Sequence, residues 1–522
     1  MRNNLKFLLY VLIFVVNIMA FWRIILVGAS IKNPRPIYQL NNKQVSDFSD
    51  PIYLPLISQA CIPDIVESPF SIQIAALHQI TTSAANTMAP RMSEAQFNAW
   101  YDQAFSSLVT YLRDSGAGYT RVYIRWSDIQ PNAPVAGQPP VYDSYFLQWY
   151  DDRLRQIAQA GIKMIVTMGY VPEWAGNEPS CPPISLDHRA DYQQFLTDLV
   201  TRYSQPPYNI KHWEIFNEAD STYPLLEWYG CWGNYGTDYT QILSISQPVI
   251  KTIVPDATVL MSGLAYDWFT PAGPFNRRFP DNVMAAGGAN YFDALNFHYF
   301  TDFAPEWERW TPGFPPTCGN VEDGEGTPYD AYGIDIIAKT KHFTNRMSTC
   351  FGVNKPVWLT ELGAHGYPDD PASLDSQARY VIQGNIRGLA AGIQNITWYA
   401  LATPNDPFEQ GLLYNSDLTP KPAYYSYQTM TRELKNFKYD RSLYLPEGEA
   451  YVFRNTCGSE KTVAWGNNVP LTFSPASSLR VVNYLGNVST ITDGGAGDMD
   501  GSHNGSVQIL ITAPVFISVT SN

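Results

Sequence analysis

The sequence predicts a (β/α)₈ barrel followed by a small all-β sandwich, and three observations predict it. Eight short apolar runs alternate with amphipathic stretches between residues 69 and 436, the rhythm of repeated βα units. No GxGxxG or GxxxxGK[ST] follows the first run, so the nucleotide-binding signatures that go with an open doubly wound sheet are missing. Beyond residue 437 the helical period stops and an alternation of two takes over, with Gly, Asn and Pro turns, the pattern of half-buried strands.

The elements run as follows. Residues 1–29 open on a basic Met1-Arg2-Asn3-Asn4-Leu5-Lys6 and an apolar run from Phe7 to Val16, the two halves of an export signal. Val27-Gly28-Ala29 suits cleavage, while Asn17 and Arg23 break the longer run, so the segment reads as a signal peptide or an N-terminal membrane anchor. Residues 30–67, rich in Asn, Gln, Ser and Pro, read as a linker. The barrel is expected over 68–436, with strands at Phe70–Leu77, Tyr119–Trp126, Lys163–Gly169, Lys211–Asn217, Thr258–Gly263, Ala294–Tyr299, Pro356–Thr360 and Gln394–Ala400. Helical patterning lies between them at Glu94–Asp114, Tyr145–Ala160, Arg189–Tyr203, Tyr239–Ile253, Gly333–Met347, Leu374–Ala391 and Ala423–Leu434, and the stretch between the fifth and sixth strands is the least helical. A β-sandwich domain is expected over 437–522, with strands at Ala450–Arg454, Thr462–Trp465, Leu479–Tyr484, Val507–Thr512 and Val515–Val519.

Composition narrows the partners. A formal charge of −14 and a pI near 4.9 argue against nucleic acid, whose binding relies on Lys and Arg neutralising phosphates. Six cysteines without a CxxC spacing point away from zinc or thioredoxin chemistry and toward disulfides in an oxidising compartment. Among fifteen pairings, the expected ones are Cys181–Cys231, Cys318–Cys350 and Cys61–Cys457. The protein is therefore expected to be secreted or extracellular, with an N-terminal tether as the alternative, and to need no cofactor or metal. Asp493–Asn504 is acidic and Gly-rich, but its spacing departs from an EF-hand, so it reads as a hairpin loop.

In such a barrel the site lies at the C-terminal ends of the strands. The fourth strand runs out in His212-Trp213-Glu214-Ile215-Phe216-Asn217-Glu218-Ala219-Asp220, and the seventh in Pro356-Val357-Trp358-Leu359-Thr360-Glu361-Leu362-Gly363. Each sets a carboxylate where an apolar strand gives way to loop, on opposite sides of the mouth. Two carboxylates ~5–5.5 Å apart are what glycoside hydrolysis with retention needs, one as nucleophile and one as acid/base. Glu214, deeper on the fourth strand, reads as the structural partner of a barrel arginine.

These motifs resemble the retaining barrel glycosidases of clan A. The phrase Trp213–Asp220 is most similar to family 39 and family 5 enzymes, and the likeness covers residues 69 to 436. It implies Glu218 as acid/base, Glu361 as nucleophile and Asn217 on the sugar 2-hydroxyl. Phe297-His298-Tyr299-Phe300 resembles the clan's His/Tyr element, although Tyr299 follows His298 directly where the pattern spaces them by two. Arg125 resembles the clan's nucleophile-supporting arginine, and Trp398 its sugar platform. Trp126, Trp174, Trp228, Trp232, Trp268, Trp307 and Trp310 fall in or beside βα loops, where indoles suit stacking on sugar faces; Trp174 and Trp398 stand out. The reading is a retaining β-glycoside hydrolase acting on oligo- or polysaccharide. The rivals are a transglycosylase using the same pair and a catalytically silent sugar-binding barrel. Xylo-, gluco- and manno-configured substrates, exo and endo action, and the oligomeric state all stay open.

Overall fold

The computed structural model describes residues 61, 63–74, 94–176, 183–222, 232–265, 275–301, 318, 335–403 and 408–520, with side chains from residue 103 onward in the first helix. All fall within one compact unit, Ser49–Asn522. The expected export segment and most of the linker lie outside the described residues.

Eight strands form the barrel: β1 (Phe70–Gln73), β2 (Tyr119–Arg125), β3 (Lys163–Gly169), β4 (His212–Ile215), β5 (Thr258–Leu260), β6 (Leu295–Phe300), β7 (Val357–Gly363) and β8 (Ile396–Trp398). Their order is β5-β4-β3-β2-β1-β8-β7-β6, and every ladder is parallel. Bridges Leu260↔Ala294 and Leu264↔Phe297 bring the two edge strands together, so the ring leaves little free edge. The expected barrel is present.

The outer ring comprises α1 (Glu94–Asp114), α2 (Ser144–Gln159), α3 (Arg189–Tyr203), α4 (Gly236–Ile253), α5 (Phe279–Ala285), α6 (Asp335–Phe351), α7 (Pro371–Ala390) and α8 (Pro422–Glu433). Asp143 caps α2 and Asp370 caps α7, each accepting two backbone N–H groups that the first turn would otherwise leave unpaired. Gly161, at φ 77°, makes the left-handed turn that carries α2 into β3. Among the described residues between β5 and β6, the helical elements are the short α5 and a 3₁₀ turn at Gly288–Tyr291, in keeping with the weak helical pattern there.

The barrel interior is layered. Tyr119, Ile165, Leu260, Ala294 and Trp358 plug its lower end. Above them sits a polar layer of Arg121, Thr167, Glu214, Asn296 and Thr360, each fully buried. The candidate site opens above that layer.

The C-terminal part is antiparallel: β9 (Lys438–Leu443), β10 (Gly448–Arg454), β11 (Glu460–Gly466), β12 (Val469–Phe473), β13 (Ser478–Asn483), β14 (Val488–Thr492), β15 (Val507–Ile511) and β16 (Val515–Val519). Six strands run β14-β13-β16-β11-β10-β9, while β12 and β15 pair separately. The sequence reading missed β9, β12 and β14: β9 and β14 are largely exposed edge strands with little apolar alternation, and β12 is a short strand that opens on Val469-Pro470 and pairs only with β15. Strand alternation divides the larger sheet. Tyr451, Phe453, Val463, Trp465, Val482 and Phe516 join the barrel core, whereas Ala450, Ala464, Leu479, Val481 and Ile517 share a second core with Val469, Ile509 and Ile511 of the small sheet.

Ion pairs fasten the same interface. Arg387 of α7 bridges Asp335 at the start of α6 and Glu449 of β10, and Glu433 of α8 pairs with Lys461 and Arg480. Disulfides Cys61–Cys457 and Cys318–Cys350 are present, matching two of the three expected pairings; Cys181 and Cys231 lie outside the described residues. The carboxylates of the 493–504 loop are engaged by its own turn, Asp498 accepting from Gly494 and Gln508 and Asp493 from Asn504 and Gly505. Among the described residues, no helix is long and apolar enough to cross a membrane.

Candidate active site

At the mouth, two strand ends depart from regular geometry, and each departure brings consecutive residues into the lumen. After β4 the chain passes through left-handed backbone at Phe216 (φ 66°) and Glu218 (φ 45°). Such conformations cost of order 1–3 kcal/mol each for non-glycine residues and persist where surroundings over-determine them. Here Phe216 N–H donates to the Met168 carbonyl and Glu218 N–H to the Gly263 carbonyl. As a result Asn217 and Glu218 both face the pocket, which a regular strand would forbid. On the far side, Phe297 pairs with Leu359 but His298 pairs with Glu361, so Thr360 is an extra residue in β7. The bulge re-aims the strand, and Thr360 and Glu361 both point inward.

These distortions bring one atom each of Glu218, His298 and Glu361 within 4.8 Å of one another. All three side chains are buried. His298 Nδ1 lies 2.8 Å from Glu218 Oε1 and 3.5 Å from Glu361 Oε2. Burial, with Arg121 and Lys339 nearby, holds the imidazole well below its ordinary pKa, so it is neutral. Lys339 Nζ donates to the His298 carbonyl at 2.7 Å and anchors that stretch of β6. Burial pushes the Glu361 carboxyl up to about 7; the charge of Arg121 opposes the rise, Glu214 adds to it, and donation from Arg121 and Tyr123 opposes it again. Glu218, His298 and Glu361 are also close enough to share a cation, but Arg121 already sets a full positive charge on Glu361. The trio therefore reads as a proton-handling cluster.

Arg121 is the hub beneath. Its Nη1 donates to Glu361 Oε1 at 2.5 Å, its Nη2 to Asn217 Oδ1 at 2.7 Å and its Nε to Glu214 Oε2 at 2.6 Å. Glu214 in turn accepts from Thr167, Asn296 and Thr360. One guanidinium fork thus orients two neighbours of the pocket at once. Glu214 is the structural partner expected for it.

The structure brings Asn217, Glu218, His298 and Glu361 together, and sets four other expected residues apart. Arg125 does not reach Glu361: two residues beyond Tyr123 on β2, it lies over the Tyr170 ring at 4.0 Å, and Arg121 makes the contact expected of it. Tyr299 falls on the outward face of β6 with Phe297, which packs on Phe343 of α6; direct succession after His298 sends it to the opposite side, fully buried. Trp398 is likewise fully buried, its indole N–H donating to the Gln410 carbonyl, and has no face left for a sugar. Trp174 is half-buried, edge-on to Trp126 and donating to the Gln130 carbonyl. Trp126 and Trp232 are core residues, and Trp228, Trp268, Trp307 and Trp310 lie outside the described residues.

Sequence reasoning missed Arg121, Tyr123 and Tyr399. The alternation Arg121, Tyr123, Arg125 on one face of β2 was legible, but the strand-end rule selects the outermost of the three. Glu361, lying deep in the mouth, selects the inner two. Tyr399, next to Trp398, is partly exposed and edge-on to Phe300.

Solved structures with similar architecture include a family 39 glycoside hydrolase from Bacteroides cellulosilyticus WH2, at 19% identity and TM-score 0.60 over 88% of this chain and 83% of that one. A family 39 β-xylosidase from Caulobacter crescentus matches at 16% identity and TM-score 0.52 over 89% and 98%. A family 30 endoxylanase from Clostridium papyrosolvens C71 matches at 12% identity and TM-score 0.50 over 88% and 97%. The fold is that of the family 39 and family 30 glycoside hydrolases. No family model and no curated protein sequence matches the chain.

Proposed function

We propose that the chain is a retaining β-glycoside hydrolase. The observation that carries this reading is the close approach of Glu218 and Glu361, two buried carboxylates from opposite strands with oxygens within 4.8 Å. That spacing suits direct attack on a sugar and is too tight to seat an inverting water between the groups. Glu218, protonated, donates to the glycosidic oxygen as the bond to the anomeric carbon breaks. Glu361 attacks that carbon and forms a glycosyl ester. Glu218, now a carboxylate, takes a proton from water, which displaces the sugar from Glu361. Arg121 orients Glu361, and Asn217, held through its Oδ1 by Arg121, turns its amide nitrogen to the sugar's 2-hydroxyl. Tyr399, partly exposed at the mouth, takes the platform role first expected of Trp398, with Phe300 against its ring.

The similar solved proteins include a β-xylosidase and an endoxylanase, so xylosides head the substrate screen. The two described disulfides support function in an oxidising compartment, in keeping with an exported enzyme whose partner is extracellular carbohydrate. The test is hydrolysis of aryl β-glycosides and plant polysaccharides with reducing-end detection and assignment of the anomer first released. Expected is a β-configured first product, with turnover abolished in Glu361→Gln; Glu218→Ala keeps activity only on substrates whose leaving group needs no proton. Ordinary turnover by Glu361→Gln would falsify the assignment.

A further inference from the structure

Glu361 offers two oxygens, and the protein treats them differently. Oε1 accepts from Arg121 at 2.5 Å and from the Tyr123 hydroxyl at 3.2 Å. Arg121 Nη1 also donates to that hydroxyl at 3.0 Å, so the oxygen of Tyr123 is occupied as an acceptor and its proton is directed onto the carboxylate. Among the described residues Oε2 receives no hydrogen bond, and His298 Nδ1 lies 3.5 Å from it. Tyr123 itself is partly exposed, at the floor of the pocket. Tyr299, the tyrosine that the family resemblance set near the nucleophile, lies on the outward face of β6, and Phe300 on the inward face carries no hydroxyl.

We propose that Tyr123 is a positioning residue which, with Arg121, saturates Oε1 of Glu361, so that Oε2 is the oxygen that forms and breaks the bond to sugar. The inference rests on the double-displacement reading above. In the first step a lone pair of Oε2 forms the bond to the anomeric carbon. The glycosidic bond breaks, and its electron pair leaves with the oxygen that takes the Glu218 proton. In the second step water attacks the same carbon, gives its proton to Glu218, and the carbon–Oε2 bond breaks with its electrons returning to the carboxylate.

The two steps use Tyr123 unequally. Donation to Oε1 stabilises the free carboxylate and therefore slightly blunts its attack. In the second step the same donation stabilises the carboxylate as it departs. Removing the hydroxyl should therefore slow deglycosylation and spare glycosylation, an asymmetry that a purely structural tyrosine would lack.

The test is Tyr123→Phe, assayed on an aryl β-glycoside with a good leaving group, for which the second step limits turnover. A hydrogen bond to a charged group corresponds to about tenfold to a hundredfold in rate. Expected are a fall in kcat of that size, a parallel fall in KM, little change in kcat/KM, and a glycosyl ester on Glu361 detectable by mass spectrometry during turnover. An unchanged kcat, or a kcat/KM that falls as far as kcat with no ester accumulating, overturns the inference. Unaltered circular dichroism and melting temperature certify the fold of the variant. Absence of glycosidase activity in the parent protein would instead overturn the hydrolase reading, which keeps the two failures distinct.

Discussion

Gly263 shows how tightly single residues are bound to the site. A Cβ added there would lie 2.2 Å from His298 Nε2 and 2.9 Å from Thr360 Oγ1, so the imidazole occupies the space a side chain would need. Gly263→Ala should push His298 off Glu218 while leaving the barrel folded. A displacement on the ångström scale costs roughly a hundredfold in rate, to be read as kcat/KM alongside an unchanged circular dichroism spectrum. The charge state of Glu361 makes a second prediction. A nucleophile must be ionised, and burial raises this carboxyl to about 7. Activity should therefore fall as pH drops through about 7, visible as the acid limb of the kcat/KM profile, which reports groups of the free enzyme.

At the scale of elements, the polar layer inside the barrel connects β2, β4, β6 and β7 through Arg121, Glu214, Asn296 and Thr360. Barrel interiors are commonly filled by branched apolar residues, and this one gives up a layer to hold the guanidinium fork. The negative charge of Glu214 is among the influences that raise the Glu361 carboxyl. Glu214→Gln should then shift the acid limb of the kcat/KM profile to lower pH. The same change leaves Arg121 with one carboxylate in place of two, and breaking a buried pair costs roughly 3–5 kcal/mol, measurable by urea unfolding. An acid limb that stays in place would separate the layer from the chemistry.

Across the whole molecule, the β-domain is built into the barrel's packing, since one face of its larger sheet is continuous with the barrel core. Glu433 secures that contact. Burial by itself would raise its carboxyl, but hydrogen bonds and charge from Arg480 and Lys461 override this and hold it near 2. A depressed carboxyl contributes stability above its ordinary 4.5 and loses it as pH falls toward 2. The contribution is roughly 3 kcal/mol. The stability lost between pH 6 and pH 2 in denaturation experiments should be smaller in Glu433→Gln than in the parent, by about that much.

The local pattern alone carried much of this protein. Period-two and helical runs identified all eight barrel strands, because burying one face of an element demands a periodicity that any reader of the chain can see. Strand-end position likewise singled out Glu218 and Glu361, and the family resemblance added Asn217 and His298. What only the tertiary structure decided was which of several eligible side chains meet: Arg121 in place of Arg125, and Tyr123 in place of Tyr299. Left-handed backbone at Phe216 and Glu218 and one extra residue in β7 reset the faces of the strands. Those departures are stabilised by contacts between strands far apart in the sequence, so no local window can register them.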